Sequence, residues 1–403
     1  MIKITLVEKH IVKMSSEYFK IIDDYSFKVK NLYNYANFII RQEFINNKRW
    51  IRYSELEKIC KNSEPYKNLM AQTSQQTLKL LDKNWTSFFA SIKDWAKNKD
   101  KYPGKPSLPR YKPKSNGRYN IIFTNQNCKI KEGTLIFPKV MEGLKLKTKV
   151  SKGLQQVRIK PNGNSYTIEV VYKIDDVQLN LDNKRYISLD IGIDNFTTIT
   201  NNFGDTPIIL NGKSLKSINK YYNKLIAHYN SINNGWNKSK KRTKRMKKID
   251  SKRNNKIDDV IHKYSRLVVD YAICNDVSVI VIGNNKDWKR DSKMSKLVNQ
   301  SFVGIPHQKF INKVICKAEM VGIKVILTEE SYTSGTSFLD NELPIKSNYN
   351  KSIRIKRGLF KSNKGILINS DVNGAYQIMK KVFPNVFDHG IEDCGFNPIR
   401  VGF

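Results

Sequence analysis

Two aspartates far apart in the sequence have neighbours that suggest a shared metal site. Asp190 ends a buried strand in Tyr186-Ile-Ser-Leu-Asp190, and a glycine turn follows it. Asp371 opens a helix in Ile368-Asn-Ser-Asp371-Val-Asn-Gly-Ala. Taken singly, the first also fits a turn aspartate and the second a helix N-cap. Together they fit a magnesium site, and a two-metal phosphodiester cut needs at least one further acid.

The pattern of the chain predicts a multidomain α+β protein. Residues 15–102 have helical spacing, and three prolines follow within residues 102–109. Short strands follow to residue 174, and the opening strand at residues 2–7 is expected to join them. Beyond residue 180, three strands precede helix–strand–helix–strand, which is the order of ribonuclease H. The predicted parts are a β-rich, barrel-like (wedge) domain at residues 1–14 and 103–180, a helical insertion at 15–102, and a ribonuclease-H-like α/β domain at 181–403.

The third acid is absent from its expected place in this order. The strand Val277–Ile282 should end in it, but Gly283 follows. The next strand, 323–328, is followed by Glu329 and Glu330. Neighbouring strands lie about 5 Å apart, so either glutamate could reach a metal at the end of the first strand. Adjacent residues point in opposite directions, so only one is expected to do so. Asp194 and Asp287 are further candidates, and in the last alternative the glutamates only offset nearby cations and the site is inactive.

Composition predicts a polyanionic partner. Lys and Arg number 72 against 36 acids, a formal net charge of +36. No apolar run is long enough to span a membrane, and the first residues read as a strand rather than a signal peptide. The five cysteines are scattered without a CxxC pair, which indicates reduced thiols and no zinc site. We therefore expect a cytoplasmic, nucleoid-associated prokaryotic protein with no membrane partner.

A dense basic run is the predicted nucleic-acid-binding segment. Residues 238–256 hold eleven Lys or Arg and one acid, Asp250. A solvated helix face is the alternative, but charge of this density repels itself unless a polyanion neutralises it. The predicted phosphate-binding residues are Lys238, Lys240, Lys241, Arg242, Lys244, Arg245, Lys247, Lys248, Lys252 and Arg253.

Several motifs resemble TnpB, the transposon-encoded RNA-guided endonuclease that is related to type V CRISPR effectors. Ser188-Leu-Asp190-Ile-Gly-Ile resembles its first RuvC motif, Val279-Ile-Val-Ile-Gly283 the second, and Asn369-Ser-Asp371-Val-Asn-Gly-Ala the third. The chain departs from the family pattern twice. Gly283 stands where a glutamate is usual, and the four zinc cysteines before the third motif are absent. The basic segment 331–367 must therefore fold without metal.

The resemblance implies an RNA-guided, Mg²⁺-dependent DNA endonuclease encoded by an insertion sequence. It would cut target DNA beside a short transposon-adjacent motif, with a guide RNA derived from the transposon end. The wedge and helical parts would hold the guide and read that motif in double-stranded DNA. Asp190, Glu330 and Asp371 would hold two Mg²⁺ ions, because some family members resemble this chain in having the glutamate within Glu-x-Tyr-Thr-Ser. Glu329 is the alternative ligand.

Two other functions remain open from the sequence. Loss of the glutamate at position 283 fits a nuclease-dead, RNA-guided DNA-binding repressor, although retention of Asp190 and Asp371 argues against it. The other alternative is a non-catalytic accessory protein that binds transposon single strands.

Overall fold

The computed structural model describes residues 3–141, 143–175, 177, 181, 183–237, 242–285, 296–350, 355, 358–387 and 393–402. The chain divides into two compact units, Met1–Asp175 and Asp176–Phe403. Within the described ranges, no helix has the length and apolar character needed to cross a membrane.

The first unit combines four helices with two antiparallel sheets. Its strands are β1 Lys3–Lys13, β2 Ile121–Thr124, β3 Lys129–Lys131, β4 Thr134–Ile136, β5 Lys145–Lys147, β6 Leu154–Asn162 and β7 Ser165–Asp175. Its helices are α1 Phe19–Asn47, α2 Tyr53–Cys60, α3 Glu64–Lys67 and α4 Ala71–Lys97. The larger sheet has the order β1-β7-β6-β2, and β3, β4 and β5 form the smaller one. The opening strand pairs with β7 from Lys3 to Lys13.

One hydrophobic core serves both the helices and the strands of this unit. Leu32 and Ala36 of α1, Trp85 of α4, and Phe123 of β2 are all fully buried in the same cluster. The buried positions of α1 recur at three- and four-residue spacing, as an amphipathic helix requires. The helical block therefore gains its stability by packing on the sheet.

The second unit is built on a six-stranded sheet. Its strands are β8 Tyr186–Ile191, β9 Asn195–Asn201, β10 Ile208–Asn211, β11 Val279–Gly283, β12 Lys324–Thr328, β13 Leu359–Lys361, β14 Leu367–Asn369 and β15 Ile399–Val401. Its helices are α5 Lys213–Asn237, α6 Lys244–Cys274, α7 Lys296–Gly304, α8 His307–Glu319 and α9 Ser370–Val382.

The strand order of the large sheet is that of ribonuclease H. The order is β12-β11-β8-β9-β10-β15, with β9 antiparallel to β8 and β10. Both β11 and β12 run parallel to β8, and β15 adds a parallel edge strand beside β10. The predicted α+β class with a ribonuclease-H-like domain is thereby confirmed.

The two faces of this sheet pack against different helices. Ile187, Leu189 and Ile191 of β8 pack into a core with α6 and α8. Because side chains alternate along a strand, Ser188 and Asp190 point to the opposite face, where α9 packs. There the Ser188 hydroxyl donates to the carbonyl of Ala375 at 2.6 Å. The alternation in β8 thus directs Asp190 toward α9.

The segment between β12 and α9 packs against the other side of α9. Asn373 accepts from the amide of Phe338 at 2.9 Å and donates to the carbonyl of Thr336 at 2.8 Å. Phe338 stacks on Tyr376 with ring centroids 4.4 Å apart, in a small core that also contains Phe360. Within the part of the chain that the structure describes, this segment is held by an aromatic core and side-chain-to-backbone hydrogen bonds.

Candidate active site

One face of α9 contacts all three candidate acids or their neighbours. Asp371 lies in the first turn, Gly374 faces Asp190, and Ile378 faces Gly283. These helix positions are three and four residues apart, so they lie on one side of the helix. From Asp371 to Ile378 the helix rises about 10 Å. A single helix therefore connects acids that are far apart in the sequence.

Asp371 is not the helix cap. The side chain of Asn369 caps α9 and accepts from the amides of Asp371 and Val372 at 3.0 and 3.3 Å. The N-cap interpretation of Asp371 is therefore wrong, and its carboxylate is directed elsewhere. Asn195 donates its side-chain amide to Asp371 Oδ2, and Arg400 in turn donates to Asn195 Oδ1 at 3.1 Å. An exposed arginine thus orients the asparagine that orients the acid.

Asp190 lies against the backbone of α9. It is half-buried within β8, opposite Thr198 of β9. A Cβ atom at Gly374 would come within 2.9 Å of Asp190 Oδ2, closer than real Cβ contacts. Because residue 374 has no side chain, the Asp190 carboxylate can approach the backbone of α9 this closely.

Glu330 fills the space beside Gly283. The last pair of the β11–β12 ladder joins Gly283 to Thr328, so Glu330 lies just beyond it. A Cβ at Gly283 would meet the Glu330 Cγ at 2.7 Å and the Ile378 Cδ1 at 2.7 Å. The carboxylate that is absent from the end of β11 is thus replaced in space by one from the segment after β12.

The environment of Glu330 is unusual for a carboxylate. Burial raises the pKa of Glu330 to about 7, although the charge of Lys381 lowers it. Asn285 donates to Oε2 at 3.0 Å, whereas Oε1 is buried and has no hydrogen-bond partner among the described residues. A buried oxygen without a partner costs on the order of 1–3 kcal/mol, and a carboxyl group whose pKa is raised this far by burial is a candidate for a functional site.

The other candidate acids have different surroundings. Glu329 is exposed, and its carboxylate accepts from the hydroxyl of Ser331. Asp194 forms an ion pair with Lys216. Asp287 lies outside the described residues. Among the candidate acids in the described residues, Glu330 is therefore the one whose side chain lies beside Gly283.

The donor set fits a hard divalent cation. Asp190, Asp371 and Glu330 offer only carboxylate oxygens, which Mg²⁺ prefers, and the unpaired Oε1 of Glu330 lacks one partner that a cation would supply. Within the described ranges, no group of three or more His, Cys, Asp or Glu side chains is already arranged to hold a metal ion.

The basic run lies largely on α6. Six of its predicted phosphate-binding side chains are exposed in the described residues: Arg242, Lys244, Arg245, Lys247, Lys248 and Lys252. Lys238, Lys240 and Lys241 lie outside the described residues. Two of the predicted arginines have partners within the protein. Arg242 pairs with Asp250 at 2.7 Å, and Arg253 donates to the Asn219 side chain at 2.9 Å and to the carbonyl of Gly304.

Several contributing residues had no signal in the sequence reasoning. Asn195, Asn285 and Lys381 contact the acids or their backbone from positions that are 45 or more residues away in the chain. The signal that could have found Gly374 is a glycine in the middle of a helix, which usually marks a close approach.

Two protein-family models match the sequence. One is described as a probable transposase (OrfB_IS605) and matches residues 169–289, and the other is a Cas12f1-like TNB domain and matches residues 307–378. No curated protein matches the chain.

Solved structures of two RNA-guided proteins are similar at low identity. The first is a Cas12f1–sgRNA–target DNA complex, at 14% identity over 93% of this chain and 98% of that one, with a TM-score of 0.37. The second is the mini-RNA-guided endonuclease CRISPR-Cas_phi3, at 9% identity over 94% and 92% of the two chains, with a TM-score of 0.44. The assignment of the fold rests on the strand order of the large sheet and not on these similarities.

The sheet order and the acids along α9 define a ribonuclease-H-like protein. The two family matches, at residues 169–289 and 307–378, support a TnpB-like protein, as the motifs predict.

Proposed function

We propose that this protein is an RNA-guided, Mg²⁺-dependent DNA endonuclease that cuts target DNA beside a short flanking motif. Its acids would be Asp190, Glu330 and Asp371, and its guide RNA would derive from the transposon end. The family matches support a nuclease of the TnpB and Cas12f kind. The observation that carries the catalytic part is the position of Glu330, whose buried Oε1 lies beside Gly283, where the family has its glutamate.

The side chains of this chain would act by binding and orientation. The three carboxylates would hold the cations, and Asn195 would hold Asp371 in one orientation. When bound, Mg²⁺ supplies Lewis-acid stabilisation of the charge that develops on the scissile phosphate and the leaving oxygen. The exposed lysines of α6 would bind phosphates of guide or target without reading sequence, because base pairing with the guide does that.

The repressor alternative has one observation in its favour, the absence of a preformed cluster of three ligands in the described residues. Against it, burying an unpaired glutamate oxygen is unfavourable, and a protein without use for a cation gains nothing from it. The first unit is proposed to hold the guide scaffold and to read the flanking motif in either case.

The test is to purify the protein with its bound RNA, to sequence that RNA, and to offer DNA duplexes with a matching target. We expect a structured RNA species in stoichiometric amount and Mg²⁺-dependent cutting of only the matched duplex with the correct flank. Target binding without cutting in Mg²⁺ or Mn²⁺ would support the repressor. Protein that folds without RNA and shows no preference among RNAs would refute guidance altogether.

A further inference from the structure

Glu330 lies outside the sheet ladder, so the strands do not fix its backbone. The β11–β12 ladder ends at the pair Gly283–Thr328, and β12 itself ends at Thr328. A glutamate at position 283 would lie within the ladder, paired with Thr328 of β12 and directly after the last β11–β8 pair, Ile282–Leu189. A glutamate two residues beyond β12 needs other contacts to hold its carboxylate within the small tolerance that catalysis requires.

Two side chains supply such contacts from other elements. Asn285 accepts from the backbone amide of Glu330 at 2.9 Å and donates to its Oε2 at 3.0 Å. Lys381, near the end of α9, donates to the carbonyls on either side of Glu330. Its Nζ lies 3.0 Å from the oxygen of Glu329 and 2.8 Å from that of Ser331. Glu330 is therefore held at its amide, at its carboxylate and at both flanking residues.

The pattern of these bonds leaves one oxygen available. Asn285 occupies Oε2 while its own side-chain oxygen accepts from the Glu330 amide, so one carboxylate oxygen is bonded to it and the other is not. Oε1 is then turned toward Gly283, where it is buried without a hydrogen-bond partner in the described part of the chain. The space exists only because residue 283 has no side chain.

We propose that Asn285 and Lys381 are positioning residues that make Glu330 equivalent to a glutamate at the end of β11. This inference rests on the proposed nuclease function. In the proposed reaction, neither Asn285 nor Lys381 touches the reacting atoms. Each acts through Glu330, so each is needed only while the glutamate comes from the segment after β12.

The decisive experiment compares two backgrounds of the RNA-loaded protein. In the parent, Lys381→Met and Asn285→Ala should each slow cutting of a matched duplex about 10- to 100-fold, the usual effect of removing a residue that orients a metal ligand. Lys381→Arg retains donors and should retain most of the rate. Lys324→Met is the matched control, because it removes an exposed lysine of β12 without touching Glu330; it should cut like the parent.

The second background is Gly283→Glu/Glu330→Ala, in which the glutamate returns to β11. The Glu330 side chain that would clash with it is removed, and the other close atom, Ile378 Cδ1, is the end of a flexible side chain that can turn aside. There, adding Lys381→Met should change the rate less than about twofold. An equal loss in both backgrounds would mean that Lys381 is merely structural, and a parental rate for Lys381→Met in the first background would overturn the proposal directly.

Mn²⁺ affinity of the full chain, measured by calorimetry, provides a readout that does not need cutting. Lys381→Met and Asn285→Ala should each weaken the tightest Mn²⁺ binding about 10-fold or more, with Lys381→Arg and Lys324→Met near the parent. Equal affinities in all variants would refute positioning, even if the second background proves inactive. A parent that never cuts would refute the nuclease proposal, while the Mn²⁺ comparison would still decide on the two positioning residues.

Discussion

The two faces of α9 differ in the polar groups that they contact. Toward the sheet, Gly374 lets Asp190 approach the helix backbone, and Ile378 packs beside the buried carboxylate of Glu330. On the other side, Asn373, Gln377 and Lys380 donate to backbone carbonyls of residues 336, 342 and 341. Among the described residues, each face has a buried oxygen without a hydrogen-bond partner, Glu330 Oε1 beside the first and Gln377 Oε1 on the second. The difference is that the first face lies against carboxylates, whereas the second uses its amides and ammonium to hold the segment between β12 and α9.

This difference separates function from stability along a single helix. Donors that hold a neighbouring segment stabilise the fold, whereas carboxylates buried against a helix backbone are unfavourable and are retained where they serve a site. Substitutions on the sheet side should therefore affect cutting more than stability, and substitutions on the opposite side should do the reverse.

The largest effects are expected from the three acids. Asp190→Ala, Asp371→Ala and Glu330→Ala should each reduce single-turnover cutting by roughly a thousandfold or more, because each removes several kcal/mol of charge stabilisation. Target binding should change less than about twofold, since the phosphate-binding surfaces are intact. Glu330→Ala should also leave the melting temperature unchanged or raise it, because it removes an unpaired buried oxygen. Cutting by the Asp190 variant at the parental rate would place the active site elsewhere.

Gly374→Ala should move activity and stability in opposite directions. Alanine is favoured over glycine inside a helix by about 1 kcal/mol, so the melting temperature should hold or rise. The new methyl group would displace the Asp190 carboxylate, and a shift of this kind can slow a reaction about 100-fold. Gly104→Ala is the control, because nothing lies within 4 Å of its Cβ position. Parallel changes of rate and stability in the 374 variant would contradict the separation of faces.

The sequence predicted the sheet of the second unit because its strands are apolar and its helices are long. Residues 323–328 are predicted as a strand, and β12 is found at Lys324–Thr328. Strands of three residues, such as β3, β5 and β15, were missed. So short a run shows no alternation, and its pairing depends on partners elsewhere in the chain.

The candidate site was predictable to the level of its acids and not of their supports. Asp190 lies near the end of a strand and Asp371 near the start of a helix, and an acid directly beside an apolar run can be recognised in the sequence. Asn195 is 176 residues from Asp371, which it binds, and Asn285 is 45 from Glu330. No local pattern marks an asparagine whose importance arises only from a distant contact. Strand alternation indicated that only one of Glu329 and Glu330 faces the site, and the choice of Glu330 came from its Glu-x-Tyr-Thr-Ser resemblance to family members; it remains a prediction.

Asn373→Ala tests the opposite face of α9. It leaves the amide of Phe338 and the carbonyl of Thr336 without this partner in a buried place, at about 1–3 kcal/mol each. The melting temperature should fall by about 5 °C or more. Zinc chelators should leave the parent's melting temperature unchanged, since this segment holds no cysteine. A variant that melts like the parent, or stoichiometric zinc in pure protein, would contradict our description of the segment.

The same separation of roles can be tested on α6 with adjacent residues. Lys252 is exposed, so Lys252→Ala should weaken RNA binding a few-fold and lower the salt dependence by about one ion. Arg253 is bonded to Asn219 and Gly304, so Arg253→Ala should mainly lower the melting temperature. Filter binding across a salt series, with melting curves for both variants, checks this. A salt slope that falls only in the Arg253 variant would reverse the assignment.

Glu329→Ala should have the smallest effect. Its side chain is exposed and accepts only from Ser331, and the Lys381 bond goes to its carbonyl, which alanine retains. Cutting should remain within about twofold of the parent, a change smaller than the loss of an exposed ion pair. The comparison with Glu330→Ala is sharp because both variants remove one carboxylate from neighbouring positions of equal charge. If instead Glu329→Ala is inactive and Glu330→Ala cuts normally, the loop turns by one residue when cations bind, and the buried oxygen beside Gly283 is not the ligand.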